Sequence, residues 1–377
     1  MDLSRLKDYQ ESLTSGRHHF PGNDLMVKMG GKTVFRNVSG YSNVAEGRKM
    51  AGDELYLTWS MSKPITTSLG LRLHEDGLFL MNDPLYEYMP EFKDMYFKKY
   101  IDGKTEIEKS PSPILVRHLF NMTAGFDYDI SSGPIEETKS RTGGRCPTRE
   151  IARAIASSPL AFEPGKTCCY GLSHDVLGAF IEVVAGKKLR DYAREVLFDP
   201  LGMDDTSYNY PDASKTARMA VQYAMSEGTG AFVPTNNTCS HILGPDYDSG
   251  GAGIVSSCAD YMKFAETIAN GGTSADGYRY LSKASIDLWK TDTLSPDMER
   301  YIPMSPGYGY GYGVRTHTDK ALSGSLSPIG EFGWGGAAGS YVMIDTDNRL
   351  AMVYMMHVLY NPKDVAPQMV NILYSSL

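Results

Sequence analysis

The chain has no long hydrophobic run. No stretch of its 377 residues approaches the ~18 apolar residues that a membrane span requires, so no membrane partner is expected. Basic tracts are missing too. The 37 Lys and Arg stand against 45 Asp and Glu, the net charge is −8, and no long run of one sign occurs. Nucleic acid is therefore not an expected partner. Cysteine is scarce and odd in number: Cys146, Cys168, Cys169, Cys239 and Cys258. None forms a C-x-x-C pair, zinc-ligand spacing is missing, and adjacent Cys168-Cys169 makes a poor disulfide framework, so no metal is expected. Reduced thiols fit a cytosol. The opening MDLSRLKDYQESL lacks the apolar core of a secretion signal, so a cytoplasmic location is expected.

Several catalytic motifs are absent as well. There is no G-x-S-x-G nucleophile elbow and no phosphate-binding G-x-x-x-x-G-K-[ST]. His74-Glu75 lacks the second histidine of a zinc protease. The run Gly307–Gly313 alternates glycine and tyrosine but precedes a strand pattern, so it reads as strand edge or closely approached backbone instead of a dinucleotide fingerprint.

What is present is an ordinary globular composition, 42% hydrophobic and 22% charged, in a chain long enough for one or two domains. Leu3, Leu6, Tyr9 and Leu13 predict an amphipathic helix over 2–15. Leu25–Met29 and Thr33–Phe35 flank Gly30-Gly31 as a β-hairpin. Tyr310–Thr316, Ser340–Ile344 and Leu350–His357 read as strands, with a turn at 345–348 and a helix over 362–376. Residues 80–240 mix helical patterns with polar connections. Tyr100–Pro113 is one, and Asp127–Cys146, with Ser131-Ser132-Gly133-Pro134 and Gly143-Gly144, reads as a long lid or surface loop. Strand signals at both ends around a helical middle imply an α/β domain of residues 1–80 and 245–377, a mainly helical insertion of 81–244, and a site between them.

Chemistry first shows at Ser60-Met61-Ser62-Lys63. A serine and a lysine three apart share a helix face. A hydroxyl becomes a nucleophile when a neighbour takes its proton, and a perturbed lysine amine can do so. The pattern is weak alone: with 34 Ser and 20 Lys about two matches arise by chance, and Ser4–Lys7 is the second. Pro64 and the period Ile65, Leu69, Leu73, ending at Gly77, set Ser60 and Lys63 at a helix start, where free N–H groups favour developing negative charge.

Around this pair come Trp59–Pro64, Gly77–Pro84, Ile114–Phe126, Phe162–Gly165, Tyr170 with Asp175–Gly178, Pro200–Met203, Gly250–Gly253 and Gly333–Gly339, in order along nearly the whole chain. In these segments the sequence resembles the serine β-lactamase-like superfamily, and most closely its family VIII carboxylesterases. The resemblance implies an α+β fold, an antiparallel sheet flanked by helices with an inserted helical domain. It also implies a covalent acyl-enzyme without a cofactor. Ser60 would be the nucleophile, with Lys63 and Tyr170 as general acid and base; which of the two is the base stays open. The backbone N–H groups of Ser60 and Ala337 would form the oxyanion hole. Trp334, Gly335 and Gly336 stand where relatives carry K-T-G or H-x-G, so a carboxylate-binding cation gives way to an apolar wall. Leu172 stands where β-lactamases carry an asparagine. Both departures favour a neutral small-molecule ester as substrate over a β-lactam, a D,D-peptide or a D-amino-acid amide. Acyl transfer to an alcohol or amine, and a non-catalytic descendant of the fold, stay open. Ser62 and His174 read as packing residues, while His241, Tyr308 and Tyr310 are candidates for lining the pocket.

Overall fold

A computed structural model describes residues 1–16, 18–226 and 228–377. The expected opening helix is α1 (Ser4–Ser15), with Leu6, Gln10 and Leu13 buried. The hairpin follows as β1 (Gly22–Met29) and β2 (Lys32–Asn43). Gly30 and Gly31 both take positive φ (57° and 85°), the left-handed conformation that tight hairpin turns need. The short β3 (Arg48–Lys49) closes that edge.

The chain then leaves the sheet and returns to it near its end. The returning strands are β4 (Tyr308–Tyr310), β5 (Arg315–His317), β6 (Phe332–Gly335), β7 (Tyr341–Asp345) and β8 (Leu350–Met356). The eight strands form one antiparallel sheet in the order β4-β5-β6-β7-β8-β1-β2-β3. The register pairs Met26 with both Val353 and Arg36.

β8 is apolar throughout because both of its faces are covered. Leu350, Met352, Tyr354 and Met356 join a core with Leu6 and Leu13 of α1 and with Met369 and Leu373 of the terminal helix (Val365–Tyr374). Ala351, Val353 and Met355 face the larger core, shared with the helices described next. These are α2 (Ser62–Glu75), α3 (Ser173–Ala185) and α4 (Cys258–Ala269). α4 lies across β8, β1 and β7, and α2 packs on α3. As predicted, Gly77 ends α2: it takes φ 76°, and the Leu78 N–H bonds back to the Leu73 carbonyl.

Three sequence expectations need correction. Tyr310–Thr316 is not one strand; β4 and β5 form a hairpin around Gly311-Tyr312-Gly313. A Cβ on Gly309 would lie 2.3 Å from Asp292, and one on Gly311 2.2 Å from the Trp289 carbonyl, so these glycines serve close backbone approach. The polar stretch from Tyr100 belongs to a second hairpin, Tyr96–Ile101 with Lys104–Lys109, largely exposed on both strands and therefore without an apolar alternation to reveal it. Residues 127–146 are no open loop: Gly133–Arg141 is a helix, with Pro134 in its first turn and Ile135 and Thr138 buried. The Ser-Ser-Gly-Pro that reads as a turn is that helix's entrance.

A buried ion pair joins β5 to the start of β6. Arg315 forks onto both Glu331 oxygens at 3.0 and 2.8 Å, and the Glu331 side chain is fully buried. Breaking such a pair leaves one charge without a partner. Glu331→Gln is expected to cost about 3–5 kcal/mol, read as a lowered urea midpoint with an unchanged slope. All five cysteines are free. Among the described residues no helix is long and apolar enough to cross a membrane.

Candidate active site

Ser60 sits in a tight turn, Trp59–Met61, that feeds directly into α2. Trp59 holds a positive φ of 49°, unusual for a bulky residue, and its indole N–H is pinned to Gln222 Oε1 at 2.8 Å. Ser60 is half-buried, whereas Lys63, one turn on, is fully buried. Its Nζ donates to Ser60 Oγ at 3.2 Å and to the Gly251 carbonyl at 2.7 Å. Ser62, between them, faces away and accepts from the Ile254 N–H at 2.9 Å, the packing role expected of it.

Tyr170 follows a short strand, Thr167–Cys169, that pairs with Glu299–Tyr301. Its backbone N–H is held by the Tyr301 carbonyl at 3.0 Å. The Lys63 ammonium lies over the Tyr170 ring, 4.5 Å from its centroid. The structure thus brings Ser60, Lys63 and Tyr170 together from segments more than 100 residues apart.

Two further groups belong here that the sequence reading missed. Tyr128 packs on Tyr170 with ring centroids 5.5 Å apart and lies 5.9 Å from the Lys63 ammonium. Asp175, in the first turn of α3, is buried. Its Oδ1 accepts from the Tyr247 hydroxyl at 2.8 Å and from Ser249 at 2.6 Å, while its Oδ2 has no hydrogen-bond partner among the described residues. A Cβ on Gly251 would lie 2.6 Å from that oxygen and 3.5 Å from Lys63 Nζ. Gly251 therefore lets a carboxylate face an ammonium across bare backbone. Asp175 was visible only as part of a motif, and Tyr128 had no local signal at all.

The electrostatics follow from this arrangement. Burial disfavours a charged Lys63, but Tyr128, Tyr170 and Asp175 outweigh it and raise the amine above its usual value. Burial pushes the Tyr128 hydroxyl up to about 12, with Lys63 and Ser60 pulling the other way. His174 donates its Nε2–H to the Phe120 carbonyl, 3.0 Å away, and burial together with Lys63 lowers it to about 3, as fits a packing histidine. His241 packs at a tilt on Tyr128, with ring centroids 4.6 Å apart, and borders the site.

On the sheet side, Trp334 on β6 donates its indole N–H to the Tyr170 oxygen at 3.1 Å. Tyr310 lies behind Trp334, with centroids 5.3 Å apart, while Tyr308 stacks on His317. A Cβ on Gly336 would lie 2.3 Å from the Thr58 carbonyl, so the strand end presses against the segment that carries Ser60. Gly335 is half-buried beside it, and Ala337 is exposed with its carbonyl held by Asn361 at 3.2 Å. Among the described residues the Ala337 N–H has no acceptor. Leu172 is buried and lines a neighbouring cavity of about 150 Å³, with Phe126, Ile135, Ile155 and Leu160 among its walls; Ser60 is not one of them.

Comparison with known proteins identifies the family and the fold. The family model described as Beta-lactamase matches residues 5–374. Esterase EstB of Burkholderia gladioli is 27% identical over 359 residues, 89% of this chain and 85% of that protein. Protein Rv1367c of Mycobacterium tuberculosis (strain ATCC 25618 / H37Rv) is 29% identical over 341 residues, 88% of this chain and 84% of its own length. Among solved structures, EstCE1, described as a hydrolase with promiscuous acyltransferase activity, has the same fold, with a TM-score of 0.77 at 24% identity and 98% of both chains covered.

Proposed function

The chain belongs to the beta-lactamase family, and on that premise we propose that it is a serine hydrolase that cleaves small or medium carboxylic esters through a Ser60 acyl-enzyme. The observation that carries this reading is the buried Lys63, whose Nζ lies 3.2 Å from the Ser60 oxygen and 4.5 Å from the centre of the half-buried Tyr170 ring. An esterase among the relatives, EstB, supports the substrate class.

In this reading Tyr170 begins as a phenolate beside the Lys63 ammonium, and as the Ser60 oxygen attacks the ester carbonyl its proton passes to that phenolate oxygen. Lys63 keeps its own proton and stabilises the charge that develops between the two. The carbonyl oxygen, now negative, accepts from the N–H groups of Ser60 and Ala337. Collapse expels the alcohol, which takes the proton from Tyr170, and leaves the acyl group on Ser60. Water then attacks the acyl-enzyme, gives its proton to Tyr170, and the acid departs as Ser60 is reprotonated. Trp334, Gly335 and Gly336 offer no cation for a substrate carboxylate, and Leu172 offers no amide, which supports an ester over a lactam. A cytoplasmic location belongs to the same proposal.

A second reading, transfer of the acyl group to an alcohol, shares every step before water attacks. The acyltransferase calJ of Penicillium decumbens is 24% identical over 355 residues, which keeps that reading open. One panel tests both, using p-nitrophenyl acetate and butyrate, a chromogenic cephalosporin and a D-amino-acid anilide, with and without an acceptor alcohol. Ester turnover is expected to exceed cephalosporin turnover by about 100-fold or more in kcat/KM. Comparable cephalosporin turnover would overturn the ester assignment. Transfer product that outruns hydrolysis would replace it with the second reading.

A further inference from the structure

Trp334 is only 5% exposed, so little of its indole is left to face a substrate. Its surface is spent on the protein. One face stacks near Tyr170, with centroids 5.8 Å apart and planes at 27°, and Tyr310 meets it edge-on. Met122, Cys168 and Leu294 complete the cluster around it. Its backbone is fixed opposite Val342 in the ladder between β6 and β7. A residue needed only as an apolar wall gains nothing from a polar atom. Yet the N–H of this buried ring is aimed at the Tyr170 oxygen, 3.1 Å away.

The chemistry of the indole makes this contact directional. Indole nitrogen is a donor only, so the Tyr170 oxygen must be the acceptor. The phenolic proton, when present, is thereby kept away from Trp334. Lys63 stands over the ring face and not beside Trp334, so two positively polarised groups approach Tyr170 from different directions. Tyr128 packs on the ring as well and restricts its tilt. The phenol is consequently held in position and in rotation by its surroundings.

We propose that Trp334 is a positioning residue for proton transfer at Ser60: its indole N–H fixes the Tyr170 oxygen and supports the negative charge that this oxygen carries before the Ser60 proton reaches it. The inference rests on the reading of Ser60, Lys63 and Tyr170 as the acyl-transfer machinery. It gives the apolar replacement for a cation a polar task of its own: a neutral donor stands at the tyrosine, and no full charge is introduced into the cleft.

Trp334→Phe keeps an aromatic ring and removes the donor. Replacement of Trp334 by benzothienylalanine, with sulfur in place of the N–H, preserves the shape and guards against loss of packing. Two rates are measured in each variant: p-nitrophenyl butyrate turnover, and covalent labelling of Ser60 by a fluorophosphonate, which needs no ester-binding pocket. Both variants are expected to lose about 10- to 100-fold in kcat and in labelling rate, with KM nearly unchanged and wild-type unfolding temperature retained in the benzothienyl form. In a Tyr170→Phe background the same replacements are expected to cost nothing further, because the acceptor is gone. A rise in KM with kcat and labelling unchanged would reduce Trp334 to a wall. An equal loss with and without the Tyr170 hydroxyl would also overturn the proposal. Wild-type labelling without ester turnover would defeat the ester reading and still leave this comparison decisive. Absence of wild-type labelling would defeat both.

Discussion

Ser60→Ala is expected to lose p-nitrophenyl butyrate turnover by about 10⁴-fold or more, at an unchanged unfolding temperature. Removing a nucleophile leaves only the water reaction assisted by binding and by the oxyanion donors. The fold tolerates the change because the Ser60 hydroxyl is half-buried and the lysine it meets keeps its second bond, to the Gly251 carbonyl. The control is built into the chain. Ser4 and Lys7 repeat the same spacing, but Ser4 is exposed at the start of α1 and Lys7 lies 3.8 Å from Glu11 on the surface. Ser4→Ala is expected to keep wild-type kcat/KM. Residual turnover in Ser60→Ala within tenfold of wild type would place the nucleophile elsewhere.

Lys63→Met is expected to lower kcat by about 10³- to 10⁴-fold. Methionine fills a similar volume without a charge, so the loss reports the ammonium and not the space it occupied. Without it the Ser60 oxygen loses its hydrogen-bond partner, and the Asp175 carboxylate faces bare backbone across Gly251. The informative measurement is a cycle with Tyr170→Phe. Groups that act as one unit are strongly non-additive, so the double variant is expected to be no more than about tenfold slower than the slower single variant. Fully multiplicative losses would show that Lys63 and Tyr170 act in separate steps.

The parts of this site legible in the sequence are those announced by local chemistry. Ser60 and Lys63 were marked by the proline and leucine pattern of the helix that follows, and α2 begins two residues after Ser60. Gly77 as its stop follows from the same logic. Tyr170, Ala337 and Trp334 were legible through order along the chain, since no spacing ties them to residue 60. Tyr128 was hidden because its position depends on the fold bringing the segment after Phe126 against α2. Asp175 looked like any helix-start acid, since nothing local says that its first turn is buried. The hairpin from Tyr96 escaped because lysine and glutamate on both faces leave no period to detect. The helix within 127–146 escaped because its entrance uses the residues that usually build turns.

The ladder between β1 and β8 also sets a schedule. Asn23 is paired with Met356, so two neighbouring inner strands of the sheet come from distant parts of the chain. Contact order is therefore high, and the sheet closes only after residues 350–356 have been made. On a ribosome Ser60 emerges long before Ala337, and the β1–β2 hairpin waits with one edge unpaired. A chain cut short before β8 carries Ser60, Lys63 and Tyr170 in its sequence but has neither the completed sheet nor the strand end at Gly336 pressed against the segment that carries Ser60. Aggregation through that waiting edge is the hazard that rapid completion of synthesis, or a chaperone, must contain.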